Sequence, residues 1–119
     1  MVEISPEIKE LIETETIVIA TSDAQGKPNA IPVACVKVVS KDQLLITDNY
    51  MVQTRENLKE NQKVCLVVWN DEGGYKIVGA AEYFDKGEWK SKVEKMPENE
   101  GLPSKGAILV EINQIIELR

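Results

Sequence analysis

The sequence predicts a mainly β fold: a small antiparallel Greek-key barrel of six strands with short α-helices, assembled as a homodimer. Three observations point there. The apolar runs are short and rich in β-branched residues, and turns of two to six residues separate them, which suits hairpins better than the long crossovers of a doubly wound sheet. One run, Val64 to Trp69 (VCLVVW), is apolar at every position, so both of its faces need cover. A small barrel has only one interior, and a chain of 119 residues has no helix to spare for the other face, so a second copy supplies the cover. The length is one domain's worth, residues 1–119, and such a domain buries roughly two-thirds of its unfolded surface.

The elements follow in order. Ser5, Pro6 and Glu7 form a cap, a first-turn proline and a first-turn acid, and Ile8, Leu11 and Ile12 give the short helix behind them an apolar stripe. This helix covers an open end of the core. Thr16 to Ser22 (TIVIATS) is a strand, and Asp23 to Pro28 is a turn in which Gly26 supplies positive φ. The chain returns as one long strand, Asn29 to Ser40, turns at Lys41 to Gln43 and comes back as Leu44 to Thr47, completing a three-stranded meander. A helix then leads into Val64 to Trp69. After the turn Asn70 to Gly74 comes the strand Tyr75 to Phe84, whose Gly79-Ala80-Ala81 is slender enough to admit a close neighbour, either backbone or a flat ligand. Lys86 to Lys95 is helical, with Trp89 and Val93 as its buried edge, and Pro97 ends it. A flexible stretch, Glu98 to Lys105, precedes the last strand, Ala107 to Leu118.

Charge narrows the function. Twenty acidic side chains face 14 basic ones, the net charge is −6 and the isoelectric point lies near 4.7, so the protein repels phosphate backbones and anionic bilayers. Neither nucleic acid nor a membrane is the expected partner. The start of the chain lacks the basic-then-apolar pattern of a leader, and no run approaches the ~20 apolar residues of a spanning helix, so the expected location is cytoplasmic. Cys35 and Cys65 sit in β-branched runs without metal-ligand spacing, and read as small core residues; they pair only if their strands are neighbours. There is no histidine. The commonest general base is therefore missing, which directs any chemistry towards a cofactor or towards none.

The junction Thr47 to Lys63 (TDNYMVQTRENLKENQK) carries the most information. With Thr54 as the N-cap, Arg55, Glu56 and Asn57 occupy the first helical turn, and their amides point outward at the positive end of the helix dipole. The Thr54 hydroxyl, the Gln53 amide and the Arg55 guanidinium add donors that suit a phosphate monoester. A plain helix start explains the same residues if Thr54 only caps, Glu56 meets the dipole and Arg55 pairs with a surface acid.

The order of these elements resembles the pyridoxamine 5'-phosphate oxidase-like, FMN-binding split-barrel family, in particular its small FMN-binding branch. The likeness runs from about Glu10 to Leu118, through Ile17 to Val33, Thr47 to Val68 and Tyr75 to Phe84. The family's first hairpin reads A-T-x-D-x-x-G-x-P, matched by Ala20, Thr21, Asp23, Gly26 and Pro28, and its helix reads K-T-x-x-N-L-x-x-N-x-x-V, matched by Thr54, Asn57, Leu58, Asn61 and Val64. The resemblance implies FMN in a groove at a dimer interface. Gln53 and Thr54 would then bind phosphate with Arg55 as a helper, Ile31, Pro32 and Val33 would line the ring, and Thr47, Asp48, Asn49 and Met51 would border it. Trp89, or Leu102 and Pro103, would reach across from the partner copy. Gln53 stands where relatives often carry a basic residue, which leaves a phosphate charge for Arg55 or Lys37 to meet.

The resemblance further implies a small flavoprotein in electron transfer or reduction of a small acceptor, with no catalytic side chain and no metal. The chain is too short for the extra basic pocket that oxidation of pyridoxamine phosphate requires, so the family name describes the fold rather than the expected reaction. The alternative is a non-enzymatic module that binds a flavin or another anionic ligand, or a cofactor-free dimer. Deazaflavin and haem come third, since the basic groups for a polyanionic tail are few and no histidine is present to ligate iron.

Overall fold

The structure, a computed structural model, describes residues 2–118. Helix α1 (Pro6–Thr14) is followed by strands β1 (Ile17–Ser22), β2 (Pro28–Val33), β3 (Val36–Ser40) and β4 (Gln43–Asp48), then α2 (Gln53–Glu60), β5 (Lys63–Asn70), β6 (Gly73–Phe84), α3 (Glu88–Glu94) and β7 (Gly106–Leu118). All pairings are antiparallel, in the order β2-β1-β5-β6-β7-β4-β3. Among the described residues there are seven strands, not the six expected. The single strand read over Asn29 to Ser40 is two, broken at Ala34 and Cys35. The reason is topological: β2 pairs with β1 and β3 with β4, at opposite edges of the sheet, so no one strand can serve both. Pro32 lies in β2, an edge strand, where its missing N–H is tolerated.

Alternation places the core. Ile17 and Ile19 of β1, Leu44 and Ile46 of β4, Leu66 and Val68 of β5, Ile77 of β6 and Ile108 and Val110 of β7 are fully buried together, with Ile12 of α1 against them. As read from the sequence, Ser5 caps α1, its Oγ accepting from Ile8 N at 3.2 Å. Glu13 Oε2 accepts from Val38 N at 2.9 Å and so occupies a donor on edge strand β3. A smaller cluster of Leu45, Val93 and Ala107, with Trp89 packed on it, seats α3 outside β4 and β7.

Two local readings hold in detail. Asp23 Oδ1 accepts from Gln25 N at 2.9 Å and Lys27 N at 2.8 Å, and Gly26 has φ 85°, which forms the β1–β2 turn. At Gly79 the pairing of β6 with β7 shifts register, and a Cβ there would strike the Glu111 carbonyl, so the close neighbour is backbone.

VCLVVW alternates in burial even though it does not alternate in hydropathy. Val64, Leu66 and Val68 face the core; Cys65 and Val67 are half-buried and Trp69 is 48 % exposed on the other side, beside Val18 and Val78. An apolar sheet face is thus left towards solvent in the single chain. The condition for a Cys35–Cys65 pair is not met: β5 lies between β1 and β6, and both thiols are free. Among the described residues no helix is long and apolar enough to cross a membrane.

Candidate functional site

The β4–α2 junction turns on Asp48. Its Oδ1 accepts from Met51 N at 2.8 Å and its Oδ2 from the Tyr83 hydroxyl at 2.5 Å, and the residue is fully buried. Burial, and after it the Asp48 carboxylate, push the Tyr83 phenol far above its ordinary range, while Arg55 beside it acts in the opposite sense. Tyr83 therefore remains a donor to Asp48. A side chain at Gly106 would collide with this phenol, which explains the glycine.

Helix α2 starts two residues earlier than a Thr54 cap requires. Val52 is the N-cap, no side chain caps the helix, and the Thr54 hydroxyl is buried and accepts from Asn29 Nδ2 at 3.2 Å. The Thr54 cap is thus corrected: Asn29 on the neighbouring strand competes for the hydroxyl. The first bond into the helix runs from Glu56 N to Val52 O at 3.2 Å, which leaves the amides of Gln53, Thr54 and Arg55 ahead of the ladder. Further along, Asn57 Nδ2 donates to Thr21 Oγ1 at 3.0 Å and Asn61 Nδ2 to Ser22 Oγ at 2.8 Å, so the two asparagines dock α2 on β1. Gln53 Nε2 donates to Asn57 Oδ1 at 2.7 Å.

The uncapped end of α2 opens on a groove of about 560 Å³ between β2, the end of β4 and the β4–α2 loop. Of the ten residues expected at a cofactor site, eight line it: Ile31, Pro32, Val33, Thr47, Asn49, Met51, Gln53 and Thr54. Asp48 and Arg55 do not. Asp48 is buried behind the wall, and Arg55 lies against Tyr83 with its Nε 3.8 Å from Glu56 Oε2. Lys37, the other cation considered, is ion-paired with Glu98. No lysine or arginine lines the groove among the described residues, so its donors are neutral amides and hydroxyls. Cys35 also lines it, and burial, reinforced by Glu98, pushes its thiol pKa up.

The stretch Glu98 to Lys105, expected to be flexible, is clasped to the end of β4. Asn99 Nδ2 donates to Thr47 Oγ1 at 2.8 Å, Ser104 N to Asn49 Oδ1 at 2.8 Å, and Lys105 N to Asp48 O at 2.7 Å. This brings Leu102 to the groove of its own chain, whereas Trp89 of α3 packs on Leu45, Val93 and Ala107, and Pro103 is exposed. Asn29, Asn99 and Ser104 escape a sequence reading, because their partners lie 25 to 55 positions away.

The chain is thus an antiparallel split barrel with this groove beside the uncapped start of α2. The pyridoxamine 5'-phosphate oxidase family model matches residues 4–119, and the chain belongs to that family. An uncharacterized protein of Methanocaldococcus jannaschii is 32% identical, with 100% of this chain and 83% of that protein covered. The crystal structure of HupZ from Group A Streptococcus is 28% identical with a TM-score of 0.88, covering 97% of this chain and 94% of that one. An FMN-binding protein from Syntrophomonas wolfei shares the fold at 18% identity, with a TM-score of 0.77 over 93% of this chain and 83% of that one.

Proposed function

We propose that the chain is a small flavoprotein that binds FMN in this groove, at the interface of a homodimer, and serves electron transfer or the reduction of a small acceptor. The observation that carries this reading is the uncapped N-terminus of α2 opening on an apolar-walled groove. Membership of the family and an FMN-binding neighbour of the same fold support it. When bound, FMN supplies the redox chemistry. The chain's own residues do the rest: the Gln53, Thr54 and Arg55 amides hold a phosphate, Ile31, Val33 and Met51 exclude water, and Thr47 and Asn49 meet the polar edge of a ring. The apolar outer face of β5 supports the dimer, since a second copy removes Val67 and Trp69 from water.

The neutral lining favours a second reading, a dimeric binding module for a less charged ligand without redox chemistry. Titration of the purified protein with FMN, followed by flavin fluorescence, separates the two. Saturable quenching at one FMN per chain supports the flavoprotein; indifference to FMN removes it and leaves the module.

A further inference from the structure

Thr47 lines the groove and is 5 % exposed, yet the protein accounts for only half of its hydroxyl. Asn99 Nδ2 donates both to Thr47 Oγ1 and to the Val93 carbonyl, each at 2.8 Å. The second bond decides the orientation of the amide: a backbone carbonyl only accepts, so the nitrogen of Asn99 and not its oxygen must face it. That nitrogen also faces Thr47, whose oxygen therefore accepts and whose proton points away from Asn99. Among the described residues that proton has no acceptor, while the groove lies beside it.

The arrangement is costly on its own terms. Asn99 is 2 % exposed, and its Oδ1 has no hydrogen-bond partner among the described residues. An unpaired buried carbonyl is destabilising, and a leucine of similar size would avoid it. What the amide supplies in return is two fixed donors, one to α3 and one to the groove wall.

We infer that Asn99 is a positioning residue that fixes Thr47 as a hydrogen-bond donor to the bound ligand. The site then selects a ligand that presents an acceptor at this wall, such as a ring carbonyl or imine nitrogen of a flavin. The inference rests on the flavin reading above. It assigns to a residue outside the groove the choice between donor and acceptor inside it.

The test titrates FMN into the wild type, Asn99→Asp, Asn99→Leu, Thr47→Val, Thr47→Ser and the Asn99→Leu/Thr47→Val double variant, with absorption spectra of the bound flavin and thermal unfolding in parallel. Asn99→Asp keeps the shape but removes the donor, so Thr47 turns its proton towards position 99 and offers the ligand only lone pairs. Each Asn99 variant and Thr47→Val should weaken FMN roughly three- to tenfold and shift the bound-flavin band in the same sense, while Thr47→Ser retains the wild-type band. The double variant should bind no worse than Thr47→Val alone. A residue that only tied the loop down would lower stability without moving the band. The inference is overturned if the two losses multiply in the double variant, or if Asn99→Leu leaves affinity and spectrum unchanged. Should the Asn99 variants fail to fold, wild-type affinity and spectrum in Thr47→Val overturn it equally. A wild type that binds no FMN removes the flavin reading and this inference together, an outcome distinct from a wild type that binds beside an indifferent Asn99→Leu.

Discussion

The carboxamide of Asn57 donates to the Thr21 hydroxyl at 3.0 Å, joining α2 to β1 across 36 positions of sequence. Both groups are buried, so each depends on the other for its hydrogen bond. Asn57→Leu keeps the size and orphans Thr21; it should lower stability by about 1–3 kcal/mol, read from the midpoint of urea unfolding. Because Asn57 Oδ1 also accepts from Gln53, the variant should loosen the start of α2 and reduce any preference for FMN over riboflavin. Unchanged stability would mean that α2 is held by packing alone.

Gln53 marks the charge deficit of the groove. Gln53→Lys places a cation at the first residue of α2, where a bound phosphate would sit, and should tighten FMN by about 1 kcal/mol with little effect on riboflavin. The gain should shrink as salt rises, since the position is exposed. Parallel titrations at low and high ionic strength check both parts.

Gly79 tests the packing of β6 on β7. Gly79→Ala drives a Cβ into the Glu111 carbonyl at the register shift and should cost about 2 kcal/mol or more, whereas Ala80→Ser, next to it and exposed, should stay within about 0.5 kcal/mol. Thermal unfolding of the pair gives the comparison.

The Lys37–Glu98 ion pair has a defined pH window. Its hydrogen bond lowers the Glu98 pKa and raises that of Lys37. The carboxylate's contribution is present above its unfolded pKa and is lost as pH falls through its depressed folded value. The ammonium's is complete below the unfolded lysine pKa and is lost as pH rises through its raised folded value. Both side chains are more than a third exposed, so Glu98→Gln should cost less than about 1 kcal/mol between those limits, and nothing in acid. Denaturant midpoints of wild type and variant across pH give that difference.

The outer face of β5 tests the assembly. Val67→Asp or Trp69→Asp should yield monomers or aggregates on sizing if a second copy covers this face. A stable monomer in the wild type would contradict the dimer.

Much of this architecture is written locally. Ser5 caps α1 through its neighbour Ile8, Gly26 turns the first hairpin with Asp23, and β-branched runs mark the strands. Propensity could not reveal the break at Ala34 and Cys35, because it comes from sheet order: β2 and β3 are assigned to opposite edges by partners elsewhere in the chain. The groove was legible through the family pattern, which placed eight of its residues. The loss of an N-cap role for Thr54 and the orientation of the Arg55 side chain escape the local sequence for one physical reason. A hydroxyl or guanidinium beside a helix start has other partners to choose from, and here Asn29 and Tyr83 stand closer in space than anything in the local sequence shows.

The central claim is that the start of α2 receives the phosphate of a flavin. Its most direct test is the ratio of dissociation constants for FMN and riboflavin, which differ only in that phosphate, measured by fluorescence at fixed ionic strength. The account predicts that FMN binds about tenfold more tightly or better, a margin of ~1.4 kcal/mol supplied by the Gln53, Thr54 and Arg55 amides. Equal affinities would contradict it and place the phosphate away from α2.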